Sequence, residues 1–141
     1  MKRLSHVLVS LILIIAACTS LQTSGGELAI PSRWKLVSFA KTGVETPVVQ
    51  DSTITMEFAE KGQIGGTGGC NSYGGEYEVQ GKTLTIKVIS STLMACTDDQ
   101  VMDQETQYFT ALQSTTGFEV SGDNLTIFYE DGQSELNFVK Q

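Results

Sequence analysis

The sequence predicts a mainly β, α+β chain: an antiparallel sheet with one packed α-helix, preceded by an export signal. Three observations carry this. Short runs alternate polar and apolar side chains with the two-residue period of a half-buried strand. Glycine-containing dipeptides punctuate those runs. One later stretch switches to the three- and four-residue spacing of an amphipathic helix.

In chain order, Met1, Lys2 and Arg3 are followed by an apolar run from Val7 to Ile15 that only Ser10 interrupts. A charged start and a short apolar run make a signal peptide, too short to remain as a spanning helix. The run ends in Ile15-Ala16-Ala17-Cys18, the form of a lipobox, in which small residues admit a signal peptidase and the cysteine thiol takes up diacylglycerol. Residues 1–17 are therefore expected to be removed and Cys18 to be lipidated. Each buried methylene of its acyl chains adds about 0.8 kcal/mol of anchoring. Ile15 stands where leucine is commoner, and the alternative is an ordinary secretory signal cleaved near Ala17 with Cys18 a bystander. Residues 18–30 are small and polar, with a Gly25-Gly26 pair, and read as a flexible tether; residues 31–141 read as one domain with one core.

Strands are expected at Arg33 to Val37, Thr53 to Phe58, Gly75 to Val79, Thr83 to Val88, Asn124 to Tyr129 and Glu135 to Val139. Gln80-Gly81 and Asp131-Gly132 supply the tight turns within the middle and last pairs, so sequence neighbours pair as a meander. Between Asp98 and Thr115 the period changes. Glu105, Tyr108, Phe109 and Leu112 fall on one helical face, turned to the sheet, and Asp98, Asp99 and Asp103 crowd the start, where the helix dipole favours negative charge.

Charge and cysteine count narrow the partners. Loss of residues 1–17 leaves seven Lys and Arg against sixteen Asp and Glu, a net charge of −9. Nucleic acid and anionic headgroups require basic patches and are not expected partners. A cationic partner would suit this surface, although acidity also serves plain solubility. Of three cysteines, one goes to lipid, leaving Cys70 and Cys96 as an even pair in an oxidising compartment. A Cys70–Cys96 disulfide is the expectation, contributing roughly 3–4 kcal/mol in the chain-entropy model, and two buried free thiols are the alternative. Two cysteines without histidine make a poor zinc site.

Most catalytic chemistries lack their residues. The one histidine, His6, lies in the signal peptide, which removes Ser-His-Asp and Cys-His arrangements and His-ligated metals from the mature chain. Gly81-Lys82-Thr83 fails as a phosphate loop, because Glu76 stands where its leading glycine belongs and a strand follows. Gly66 to Asn71 lacks the last glycine of a dinucleotide loop. Asp98-Asp99 and the pair Glu76 and Glu78 look solvated, and Asp98, Asp99 and Asp103 do not have calcium-loop spacing. No catalytic residue, metal or cofactor is expected.

Trp34-x-Leu36, Phe58, the run Gly65-Gly66-Thr67-Gly68-Gly69-Cys70-Asn71-x-Tyr73-x-Gly75-x-Tyr77, the element Thr92-x-Met94-Ala95-Cys96, and Glu105, Phe109 and Leu112 together resemble the META domain of the HslJ-like lipoproteins. The resemblance runs from about residue 31 to residue 139. It implies an antiparallel barrel-like sheet with one helix, display as an envelope lipoprotein, a link to heat shock or antibiotic tolerance, and no established enzymatic activity. The residues themselves read as structural. The glycines permit close backbone approach at a bulge or barrel corner. Asn71 is expected to bond its own backbone two residues on, and Trp34, Phe58, Tyr77, Phe109 and Phe138 to be core aromatics. With small residues scarce on the apolar faces, a filled interior is expected, not a ligand cavity.

Two functions fit. The first is a monomeric, non-catalytic, stress-tolerance module that binds or braces another envelope component while its lipid anchor at Cys18 holds the membrane. The second is an inhibitor of a cationic hydrolase such as a lysozyme. Thr19 is not the aspartate that commonly retains lipoproteins at the inner membrane, which points to the outer membrane, facing the periplasm, in a Gram-negative host.

Overall fold

The structure is a computed structural model and describes residues 25–141, so the expected signal peptide and Cys18 lie outside the described residues. Nine strands and one helix follow one another: β1 (Ser32–Lys41), β2 (Val44–Pro47), β3 (Thr55–Ala59), β4 (Gln63–Thr67), β5 (Ser72–Gln80), β6 (Thr83–Ser91), α1 (Asp99–Gln113), β7 (Thr115–Ser121), β8 (Asn124–Tyr129) and β9 (Ser134–Lys140). Every pairing is antiparallel, and the order across the sheet is β6-β5-β4-β3-β1-β9-β8-β7, with β2 also on β1.

β1 organises the sheet because its alternation is strict over the first half. Trp34 and Leu36 point inward while Arg33, Lys35 and Val37 point out. Along one edge it pairs first with β3, through Ser32 to Lys35, and then with β2, through Ser38 to Lys41. A register shift between Leu36 and Ser38 opposite β9 marks a bulge, the usual device for bending a strand as a sheet curls. The curl brings the two ends of the sheet together: the Phe118 amide of β7 donates to the Lys82 carbonyl beside β6 at 3.0 Å. The result is a nearly closed antiparallel barrel, and α1 is the segment that joins its two end strands.

Inside lie Trp34, Phe58, Tyr77 and Phe138, the aromatics expected in the core, with Leu84, Leu125, Ile127 and Leu136. Phe109 is half-buried at the edge of this cluster. Trp34 donates its indole N–H to Ser32 Oγ at 2.9 Å, and Phe58 and Tyr77 meet edge to face at 5.0 Å. The helix adds Tyr108, Ala111 and Leu112. Its start is capped by Asp98, whose carboxylate accepts from the Gln100 amide at 2.8 Å.

Three strands escaped the sequence reading. β2 is exposed at all four residues, so it carries no burial alternation and is held by backbone pairing with β1 and one hydrogen bond from Ser38 Oγ to the Glu45 carboxylate at 3.3 Å. β4 contains Gly65 and Gly66, which weaken a strand locally; pairing on both sides with β3 and β5 overrides that. A side chain at Gly66 would collide with the Thr55 carbonyl, so the glycine lets two strands approach instead of turning a corner. β7 follows the helix almost directly, with Phe118 and Val120 inward and Glu119 outward.

The N-terminal boundary also shifts. The Gly26 amide donates to the Val120 carbonyl at 2.7 Å, Leu28 is buried in the core, and Lys82 Nζ donates to the Gly25 and Gly26 carbonyls at 3.1 and 2.8 Å. Composition alone assigned these residues to the tether; pairing ties Gly26 to β7 and packing draws Leu28 into the core, because Leu28 finds an apolar partner that no local pattern announces.

Leu112 has no solvent exposure. Leu112→Ala is expected to lower unfolding free energy by about 2–5 kcal/mol in urea titration. Val44→Ala on exposed β2 should stay within about 0.5 kcal/mol of wild type.

Candidate functional site

The family-like residues converge where α1 crosses the turn between β4 and β5. That turn runs Gly68-Gly69-Cys70-Asn71, and it is seated by Glu105 of the helix. The Glu105 carboxylate accepts from the Cys70 amide at 3.0 Å and the Asn71 amide at 2.6 Å through Oε2, and from Asn71 Nδ2 at 2.7 Å through Oε1. Gly68 makes this approach feasible: a Cβ there would lie 2.7 Å from the Phe109 ring and 2.8 Å from Glu105 Oε2, inside contact distance.

Asn71 carries the connection onward. Its Oδ1 accepts from Thr92 Oγ1 at 2.7 Å and from the Met94 amide at 2.8 Å, and its Nδ2 also donates to the Met94 carbonyl at 3.2 Å. The side-chain amide thus pairs with both backbone groups of Met94 as a neighbouring strand would, and these partners fix its orientation. The expected bond to its own backbone is replaced by this cross-chain set, because three separate segments meet at this one buried side chain. Cys70 and Cys96 form a disulfide across a sequence separation of 26, closing the same loop covalently.

Neighbouring contacts are of the same kind. Gln104, also buried, accepts from the Val49 amide at 2.7 Å and donates to Ser52 Oγ at 3.1 Å, so consecutive helix residues hold two different loops. Tyr73 and Tyr108 share a hydroxyl hydrogen bond of 2.8 Å, and Tyr73 also donates to the Thr55 carbonyl at 3.1 Å. Tyr77 donates to the Ala59 carbonyl at 3.1 Å. Gly75 sits in β5 opposite Ile64, at the register shift between β5 and β6.

Of the residues singled out from sequence, Gly68, Cys70, Asn71, Thr92, Met94 and Cys96 are thus brought together, with Tyr73 adjoining. Trp34, Gly75 and Tyr77 lie in the barrel wall or core, apart from the cluster. Glu105 is the residue whose role the sequence reading missed. Its signal was present: a carboxylate on the same helical stripe as Tyr108 and Leu112, where an apolar side chain belongs. Glu76 and Glu78 lie outward and exposed on β5, and a hydrogen bond from Lys87 at 2.5 Å, helped by one from Gln80, holds the Glu78 carboxyl below the usual carboxylate range.

The chemistry open to the cluster follows from its occupancy. Cys70, Cys96 and Glu105 present ligand atoms within 4.8 Å of one another, close enough for a metal on distance alone. The sulfurs are bonded to each other and offer no thiolate, and the carboxylate already receives three N–H groups. No buried side-chain nitrogen or oxygen among the described residues lacks a hydrogen-bond partner. A cleft of about 210 Å³ lies between β1, β2 and α1, with Lys41 and Glu130 paired at 3.6 Å on its rim, and a wider open one of about 530 Å³ is lined by Leu28, Ile30, Val79 and Phe118.

A nearly closed antiparallel barrel whose helix is seated on a Gly-Cys-Asn turn defines the class to which this fold and site belong. The META domain family model matches residues 26–141, and the chain belongs to the META domain family. Similar solved structures support the fold. An NMR structure of a protein from Burkholderia xenovorans superposes with a TM-score of 0.67 at 23% identity, covering 79% of this chain and 83% of that one. A crystal structure of a DUF4847 family protein from Bacteroides vulgatus gives 0.61 at 14% identity, covering 77% and 92%. No curated protein matches.

Two outcomes follow from this geometry. Asn71→Ala should lower stability by at least about 2 kcal/mol in denaturant titration, since each buried partner left unpaired costs about 1–3 kcal/mol. Amide exchange at Met94 should accelerate at the same time. Burial pushes the Tyr73 and Tyr108 hydroxyls above their ordinary value of 10.0, with their mutual hydrogen bond acting in opposite directions on the two. The barrel therefore keeps both neutral while the unfolded chain ionises them. Their contribution is intact below pH about 10 and is lost as pH rises beyond it, by up to about 1.4 kcal/mol per pH unit for each. Tyr108→Phe should flatten that alkaline slope when unfolding free energies at pH 8 and above 10 are compared.

Proposed function

We propose that this chain is an envelope lipoprotein, anchored through Cys18, whose META barrel acts without catalysis by binding or bracing another envelope component and so supports tolerance of heat or antibiotic stress. The observation that carries this reading is the occupancy of the cluster: Glu105 and Asn71 direct the hydrogen bonds they make to the protein's own loops. A cluster arranged this way holds a surface in shape. The lipobox Ile15-Ala16-Ala17-Cys18 supplies the anchor in this reading.

A second reading, inhibition of a cationic hydrolase, is favoured by one feature: residues 88–139 hold nine carboxylates and no Lys, Arg or His. Acidic surfaces speed encounter with basic proteins and do so less at high salt.

Cells lacking the gene are expected to survive heat or antibiotic challenge less well, with rescue by the wild-type gene and not by Cys18→Ala, whose product should also leave the detergent phase on Triton X-114 partitioning. Equal survival would remove the stress role, and detergent partitioning of Cys18→Ala would remove the anchor. Lysozyme activity unaffected by the protein at both low and physiological salt is expected; inhibition at low salt would install the second reading instead.

A further inference from the structure

The loop that the cluster holds presents apolar side chains to water. Leu93 is 95% exposed, Met94 60% and Met102, across on α1, 42%. With Thr92, Asn71 and Phe109 they line one open groove beside the disulfide. Isolated exposed apolar residues need no explanation, but three adjoining ones on a pinned loop and a facing helix form a patch of the kind that marks interaction sites. The backbone of Met94 is clamped on both its amide and its carbonyl by Asn71, and Cys96 is covalently tied to Cys70. Ordering a loop costs about 1–2 kcal/mol per residue, and here that cost is met before any partner arrives.

The surroundings select the occupant. Met102 is flanked on its helix by Asp99 and Asp103, Asp98 caps the same end, and no basic residue occurs between Lys87 and Lys140. Exposed carboxylates at the start of the helix that carries Met102 repel anionic headgroups and attract cationic groups. The position of Gly25 and Gly26 argues the same way. Gly25 and Gly26 are held by Lys82, which precedes β6, whereas Leu93 follows it, so the length of a nine-residue strand, about 30 Å, separates the patch from the side where the chain leads back to Cys18. Unbranched, polarisable methionines adapt to varied apolar surfaces.

We propose that the groove between Leu93, Met94 and Met102 docks a basic amphipathic segment of a partner protein, its apolar face on the methionines and its cations on Asp98, Asp99 and Asp103. This rests on the binding-module reading above and names the surface that does the binding. The Asn71–Glu105 cluster and the disulfide are positioning elements for it; the contacts are made by the exposed side chains.

The methionines supply their own reporters. Met56 is fully buried, while Met94 and Met102 are in the patch, so methyl-labelled mature lipoprotein in zwitterionic nanodiscs reads the surface against an internal control. A synthetic Lys/Leu amphipathic peptide is the probe, with Lys/Ser and Glu/Leu peptides of equal length as controls and empty discs as blanks. Saturable shifts at Met94 and Met102, absent at Met56 and absent with both controls, are expected. Leu93→Asp should weaken binding at least tenfold, and Val44→Asp, on exposed β2, should leave it unchanged. Three results would overturn the proposal: equal binding of the Glu/Leu peptide, equal shifts with anionic phosphatidylglycerol vesicles, or shifts that grow with protein concentration alone and so report a second copy. A silent titration would also overturn it while leaving the anchored module standing; unimpaired survival of the deletion strain would remove the stress role and leave a positive titration intact.

Discussion

A single buried carboxylate, Glu105, sets the constraints that the surrounding structure obeys. Removing a charge from water costs several kcal/mol unless hydrogen bonds replace its hydration, and here three N–H groups from the β4–β5 turn do so. For those groups to reach it, the turn must bring the amides of Cys70 and Asn71 toward the helix, and residue 68 must have no side chain. The helix in turn cannot slide or rotate without leaving the carboxylate unpaired. A charge at this position therefore fixes the seating of α1, and α1 is the segment that connects the two end strands of the barrel sheet.

Asn71 extends that constraint from the helix to the loop after β6. Its amide group faces Glu105 on one side and the Met94 backbone on the other, so the loop is ordered by the same centre that seats the helix. The disulfide beside it works differently. It limits the unfolded chain and adds no directionality, whereas the hydrogen bonds define the geometry. Together they give a short, exposed loop fixed partners on both sides.

This arrangement separates the interior from the surface in functional terms. Buried side-chain polar groups look inward and are fully paired among the described residues, while the held loops carry the exposed side chains. Leu93 and Met94 are displayed there with their apolar side chains in water. Membership of the META domain family accounts for the barrel and its turn; it does not by itself say what meets the patch.

Much of the architecture was legible in local pattern. Strands with one dry and one wet face, β1, β3, β5, β6, β8 and β9, alternate visibly, the helix announces itself by its change of period, and cysteine parity paired Cys70 with Cys96 once Cys18 was set aside for lipid. What tertiary structure alone decided are the features with no short-range signature. β2 has no buried face, β4 carries two adjacent glycines that its two neighbours hold in a strand, and Leu28 joins a core assembled from distant residues. Barrel closure at Phe118 and Lys82, and the bonds from Glu105 to residues 34 and 35 positions away, depend on where the folded sheet brings them. Alternation reports burial along a strand; it carries no information about which far segment supplies the burial, or which far amide receives a buried charge.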